Sequence, residues 1–418
     1  MAQLTDDCFA FGGELLPIDE LERLIRERIT PVTQTEAVAV NRARGRVLAQ
    51  DVIAPVSLPP YDNSAVDGFA VRHADLNAAG DTRLKVVERL TAGLSAARPL
   101  APGEAVRIFT GAPMPENADT VFMQEDCRVD GDQVVLPAGL ALGANRRLSG
   151  EDVQAGSIIL PAGRVLSAQH VALAAAVGLT RLDVRRRLRV ALFSTGDEII
   201  EPGSSLPKAA TYDANRVLLA ALLEQMGVEV SDGGILRDNP EQVALALQDA
   251  ARDHDLVLTS GGVSTGEADH VRETMEKIGT LVFWRIGIKP GRPVAMGVLD
   301  GTALVGLPGN PVAAFITFVR VVRPLLLQLA GAQNEPLVPL PVRAAFAYRK
   351  KKGRREYVRV KLARAADGTL EAHKFPQDGA GVITSLTETD GLIELPEDLI
   401  TVEPGATVGF LPYAVLSG

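Results

Sequence analysis

Three apolar runs in this chain end in small, polar and acidic residues. Residues 190–193 lead into Ser194-Thr195-Gly196-Asp197-Glu198, and residues 256–259 into Ser260-Gly261-Gly262-Val263-Ser264-Thr265-Gly266-Glu267-Ala268-Asp269. Residues 304–307 lead into Pro308-Gly309-Asn310-Pro311, which opens on the apolar stretch 312–322. Proline suits the first position of a helix, because the N–H it lacks would have no partner there. A tight turn onto a helix leaves N–H groups and a positive helix end above the strand, a setting for an anion. Gly261, Gly262 and Gly266 let the backbone approach a phosphate, and Ser260 and Ser264 add hydroxyl donors. Glu198, Asp238 and Asp269 read singly as helix caps or solvated acids. Beside an anion cradle they read together as ligands for a Mg²⁺ bridging to phosphate oxygens.

Outside these runs the chemistry is less defined. Asp62-Asn63-Ser64-Ala65-Val66-Asp67-Gly68-Phe69-Ala70 reads as a turn into a strand, and composition favours no more than that. Phe109-Thr110-Gly111-Ala112-Pro113-Met114-Pro115 and Ser149-Gly150-Glu151-Asp152 are equally open. Nothing matches a Ser/His/Asp triad, a Walker A loop or a dinucleotide fingerprint, so positioning and charge are expected to carry the chemistry rather than a covalent intermediate.

The elements that must hold these residues follow from periodicity. Residues 17–29 carry an apolar face at helical spacing, with Asp19 and Glu20 in the first turn. Residues 38–150 are short apolar runs broken by Pro, Gly and Asp, the texture of a β-rich module. Residues 167–177 form a second helix, capped by Ser167 and ended by Gly178. From about residue 190 strands and helices alternate, ending in the long helix from Pro311. That alternation predicts a mostly parallel sheet with helices on both faces, whose ligands bind beyond the carboxyl ends of the strands. Residues 331–341 read as a linker, and the remainder as a small all-β domain.

The totals narrow the function. The chain has 418 residues, enough for two to four domains. A formal charge of −9 argues against general nucleic-acid binding but leaves small anions open. Two cysteines, Cys8 and Cys127, make neither a disulfide framework nor a zinc cluster, which suits a reducing compartment. The first residues lack the basic start of a secretory signal, no apolar stretch reaches membrane-spanning length, and the cytoplasm is expected. The basic run Arg349-Lys350-Lys351-Lys352-Gly353-Arg354-Arg355 reads either as an exposed hairpin tip or as a rim guiding an anion.

Taken in order, Asp62–Ala70, Thr110-Gly111-Ala112-Pro113, Gly150-Glu151-Asp152, Phe193–Glu198, Ser260–Ser264, Lys289-Pro290-Gly291 and Gly306–Pro311 resemble the molybdopterin molybdenumtransferases, the MoeA proteins and the E domain of gephyrin. The resemblance runs over essentially the whole chain. It implies a doubly wound, mostly parallel α/β molybdopterin-binding domain at 185–333, a β-rich insert lobe at 55–150 and a C-terminal β-barrel domain at 334–418. Residues 1–54 with 151–184 would link them, the helix near 17–29 packing on the α/β domain. The implied reaction inserts molybdate into adenylylated molybdopterin with a divalent cation such as Mg²⁺, giving molybdenum cofactor and AMP. By resemblance the functional acids are Asp67, Asp152, Glu198, Asp238 and Asp269, with Thr110, the loop prolines Pro308 and Pro311, and Arg359. Glu198 and Asp269 would hold the metal; the loop 308–311, with Gly309 and Asn310, would position phosphate; Asp67, Thr110 and Asp152 would orient the pterin or molybdate. The family also implies a homodimer in which the insert lobe of one subunit completes the α/β site of the other, with the molybdopterin adenylyltransferase and acceptor molybdoenzymes as further partners.

Two departures stand out. Val66 and Phe69 occupy positions more often Met and Tyr, and Asp378-Gly379-Ala380 stands where Gln-Gly/Ser-Ser is usual, removing a hydroxyl at 380. Three other readings remain at this stage: adenylylation of molybdopterin, a pterin-binding scaffold without catalysis, and a sugar-phosphate enzyme on a similar sheet.

Overall fold

The computed structural model describes residues 15–263, 270–333 and 336–416. At its centre a six-stranded sheet runs in the order Glu229–Leu236, Arg189–Thr195, Leu256–Ser260, Thr302–Leu307, Ala295–Leu299, Thr280–Trp284. The first four strands are parallel, and Ala295–Leu299 runs against both its neighbours.

Side chains alternate across a strand, so this sheet needs apolar residues on both faces. Val190 and Leu192 enter one core with the helices Ile18–Arg28, Ala214–Gln225 and Pro311–Thr317. Ala191 and Phe193 enter the other with Pro240–Asp253 and His270–Ile278. The helix starts follow local chemistry. Asp213 accepts from the N–H of Arg216, and Asn239 from those of Glu241 and Gln242 ahead of Pro240. Ser167 and His170 form a reciprocal capping box at Ala168–Ala176.

The helix from Pro311 runs to Leu329 through a π turn at Phe318–Val322. Pro324 lies just beyond and has no N–H for the preceding turn, which accounts for the local change of pitch. By length and composition this helix could cross a membrane, but it is 83% buried within the fold. Core packing explains its apolarity.

A second six-stranded sheet has the order Thr120–Met123, Gly68–Val71, Glu104–Ile108, Thr82–Leu90, Gln133–Leu136, Arg128–Asp130 and buries residues on both faces. Between it and the α/β block, Thr35–Ala39 pairs with Arg181–Arg185, and Val52–Ile53 with Ile158–Leu160. At the C-terminal end Arg355–Arg364, Leu370–Lys374, Leu340–Ala344, Thr407–Pro412 and Gly391–Leu395 pair in that order, and the last pairs back on the first to close a barrel. The barrel is tied to the α/β block in two ways. The short strand Ile288–Lys289 adds in parallel to Arg355 and Glu356, and Tyr357, Leu392 and Leu411 enter the core of the long helix.

The basic run divides at this junction. Arg349, Lys351 and Lys352 are exposed, whereas Lys350 is buried, with its ammonium donating to the carbonyls of Leu399 (2.8 Å) and Glu397 (3.3 Å). Arg355 is buried too and pairs with Asp19 on the N-terminal helix and with Glu397.

Candidate functional site

The parallel register brings the strand ends level. Ser194 lies beside Ser260, and Ser260 beside Leu307. The N–H of Gly261 donates to the carbonyl of Leu307 at 2.9 Å, so the loops after these two strands start in contact. A Cβ on Gly261 would stand 2.8 Å from the carbonyl oxygen of Thr195, and the backbone there has φ +99°. Only glycine suits that place.

Asn215, in the first turn of the helix Ala214–Gln225, links two of the loops. Its buried amide donates to Ser260 Oγ at 2.9 Å and to the carbonyl of Gly309 at 2.8 Å. Nothing in its sequence surroundings separates it from an ordinary residue of a capped helix start. Arg216 beside it donates to Asp213, Asp232 and Glu201. Burial works against its charge, yet these carboxylates hold its pKa above the usual arginine value.

The loop after the first strand is held from below. Arg237 donates to the carbonyls of Gly196, Asp197 and Ile199 at 3.0–3.3 Å. Asp197 and Asp238 each accept from the other's backbone N–H, at 3.2 and 3.3 Å. Glu198 is exposed, and its carboxylate folds over Gly196, where a Cβ would meet Oε2 at 2.4 Å. Glu198 and Asp197 are thus on the loop that Asp238 joins. No cluster of three or more metal-ligating side chains occurs among the described residues. Asp269 and Ser264, with Gly266, lie outside the described residues, as does Cys8.

The helix end differs from the sequence expectation. The N–H of Val312 is already taken, donating to the carbonyl of Ala380 at 3.0 Å. Asn310 begins the helix without a side-chain cap, and a Cβ on Gly381 would come 3.5 Å from its Oδ1. A loop of the C-terminal barrel therefore sits on the start of the Pro311 helix. Among the described residues, the backbone N–H groups of Gly262, Gly309 and Asn310 remain for a ligand.

Arg359 holds that barrel loop. Its buried guanidinium donates to the carbonyls of Gln377 (3.0 Å) and Gly379 (3.1 Å) and to Ser385 Oγ (3.1 Å). Burial pushes its pKa below the usual arginine value. Ser385 is buried and donates to the carbonyl of Val382, so it does not replace the hydroxyl absent at Ala380.

The insert lobe carries a separate pair. Asp67 accepts from the backbone N–H of Thr110 at 2.8 Å and from its hydroxyl at 2.7 Å. These two donors, the backbone one foremost, hold the Asp67 carboxyl below the usual carboxylate range. Gly68 fixes the position: a Cβ there would stand 1.7 Å from the carbonyl oxygen of Phe122 on the adjacent strand. Asp152 is exposed, and its N–H donates to the carbonyl of Leu58 at 3.1 Å. No hydrogen bond among the described residues joins its side chain to Asp67 or Thr110.

Strand ends that converge on one crevice, with a barrel loop seated on the helix start, mark a multidomain α/β protein, and comparison with known families gives its class. Residues 16–178 match "MoeA N-terminal region (domain I and II)", residues 191–328 "Probable molybdopterin binding domain" and residues 341–413 "MoeA C-terminal region (domain IV)". The Haemophilus influenzae protein named molybdopterin molybdenumtransferase is 36% identical over 406 residues, spanning 97% of this chain and all of that one. A Nostoc protein of the same name is 37% identical over 371 residues, 87% of this chain and 85% of that one. The crystal structure of the molybdopterin biosynthesis MoeA protein from Pyrococcus horikoshii superposes with a TM-score of 0.81 at 29% identity, covering 96% of this chain and all of that one. This chain belongs to the molybdopterin molybdenumtransferase, or MoeA, family.

Proposed function

We propose that this chain is a transferase that inserts molybdate into adenylylated molybdopterin, releasing AMP and forming molybdenum cofactor. The observation that carries this reading is the convergence of the loops after Thr195, Ser260 and Leu307, in a chain that matches the family from end to end. The substrates are both anions, so bringing them together requires charge neutralisation and fixed geometry more than a nucleophile.

The backbone N–H groups of Gly262, Gly309 and Asn310, with the Ser260 hydroxyl, bind the phosphate and fix its orientation. Asn215 keeps Ser260 and the 308–311 loop at their spacing. Glu198, with Asp269 and with Asp238 nearby, would hold Mg²⁺, which when bound neutralises charge on the phosphate that leaves as AMP. Asp67 stays ionised and oriented by Thr110, ready to accept hydrogen bonds from the pterin, and Asp152, exposed just past the lobe, would help to orient it. Arg359 acts through the loop it pins rather than by touching ligand.

All partners of Asp67 and Thr110 named above lie inside the insert lobe, and those of Ser260 and Gly309 inside the α/β block. A homodimer with a composite site is the arrangement proposed, one subunit's lobe completing the other's crevice. Cytoplasmic residence fits the cysteine usage. The adenylyltransferase that makes the substrate and the enzymes that accept the cofactor are the natural partners.

The test is product analysis. Purified protein is mixed with adenylylated molybdopterin, Mg²⁺ and molybdate, and AMP and bound molybdenum are followed together. Molybdate-dependent AMP release in step with metal incorporation is expected, and Glu198→Ala should abolish it with little change in thermal stability. Tight pterin binding without turnover would leave a scaffold, and an unfolded Glu198→Ala would make that residue structural.

A further inference from the structure

We propose that the cleft between the N-terminal helix Ile18–Arg28 and the long core helix is a binding site for a small tetrahedral oxyanion, held by Arg323 and Arg26. The cleft is lined by Glu22, Arg26, Val319, Arg323, Pro324, Pro336 and Leu337. Arg323 lies 12 residues past Pro311 along the helix, roughly 18 Å at the usual rise, so the cleft is distinct from the strand-end crevice.

Arg323 is the exception among the inward-turned arginines. Arg216 pairs with Asp213, Arg320 with Glu22 at 2.8 Å, and Arg355 with Asp19 and Glu397. Arg359 has carbonyls and a serine. Arg323 has no hydrogen bond or ion pair among the described residues, and its Nε is buried without a partner. Burial first, and then the neighbouring charge of Arg320, push its pKa below the usual arginine value. Glu22, already bridged to Arg320, opposes that shift, but a half-buried guanidinium with no hydrogen bond made is costly, so a partner from solution is favoured.

The surroundings suit an anion. Among the described residues Glu22 is the lining carboxylate, and it is shared: Arg320 bonds it, while half-buried Arg323 and exposed Arg26 add two further positive charges. Glu22 and Arg26 are four residues apart on one helix face, opposite Val319 and Arg323 on the other helix. The space is about 40 Å³, where a single water needs roughly 10–15 Å³ on the same measure. That admits a few waters or one ion of sulfate size, not a nucleotide. Val319, Pro324, Pro336 and Leu337 complete the walls, and a guanidinium fork matches two oxygens of such an ion. A bound ion would fasten the N-terminal helix, the core helix and the segment entering the barrel at one point.

Thermal unfolding of the full chain tests this without any activity assay, and so independently of the transferase reading. Sulfate is titrated against chloride at constant ionic strength. The wild type should gain stability saturably. Arg323→Met should be at least as stable as wild type in chloride and should lose that gain, because the unpaired charge is gone. Arg26→Ala should shift half-saturation to about tenfold more sulfate. Glu335, outside the described residues, is the carboxylate next to Pro336 in sequence, and Glu335→Gln should keep the response. An equal response in wild type and Arg323→Met, or none beyond chloride, would overturn the site. So would strong destabilisation by Arg323→Met, or a response that appears only in Glu335→Gln, since Arg323 would then have a partner within the chain.

Discussion

Asp67 holds its charge because Thr110 offers it two donors in a turn that Gly68 allows no side chain to disturb. Its carboxyl is depressed in the fold, so the contact contributes stability above the unfolded value near 3.9 and loses it as pH falls through the folded value. Carboxyl NMR should place the Asp67 midpoint below that of a free aspartate. Thr110→Val, which keeps the N–H and removes the hydroxyl, should raise the midpoint part of the way. No change would mean that the hydroxyl contact does not persist in solution. At the same scale, no hydroxyl stands in for the one absent at Ala380, because Ser385 is committed to Arg359 and Val382.

At the level of elements, a helix start and two loops depend on one amide. Asn215→Leu would leave the Ser260 hydroxyl and the Gly309 carbonyl without their shared donor, costing about 1–3 kcal/mol of stability. Misplacing the two loops should lower kcat/KM about 10–100-fold. Loss of activity no greater than the loss of folded protein would reduce Asn215 to a structural residue.

Asn215 also marks where the sequence stops being legible. The strand ends at Ser194, Ser260 and Leu307 could be read directly, because β runs into Gly-rich turns carry a local signal. The helix Ile18–Arg28 is equally plain from its apolar spacing and first-turn acids, and Ala168–Ala176 from its Ser167 cap. Asn215 and Arg237 act on loops far along the chain, and no local pattern reports that. Likewise the capture of the Val312 N–H by Ala380 joins two domains, so a free helix end was the natural reading of Pro308–Pro311. The two-residue strand Ile288–Lys289 was too short to read, although it fastens the barrel to the α/β block.

For the whole molecule, the proposed sharing of one site between the Asp67–Thr110 pair of one subunit and the strand-end loops of the other sets a test. Asp67→Ala and Glu198→Ala should each be inactive alone. Co-expressed, random mixed dimers should regain about a quarter of wild-type activity, since half the dimers carry one intact site of two. No recovery would place both residues in the site of a single subunit.

The barrel loop on the Pro311 helix has a thermodynamic consequence. The Val312 N–H serves one acceptor well, and the Ala380 carbonyl holds it now. A ligand oxygen that claims it must displace the loop, so ligand affinity and barrel docking are linked with opposite sign. Whatever free energy tightens the loop is withdrawn from the ligand, and the reverse holds equally.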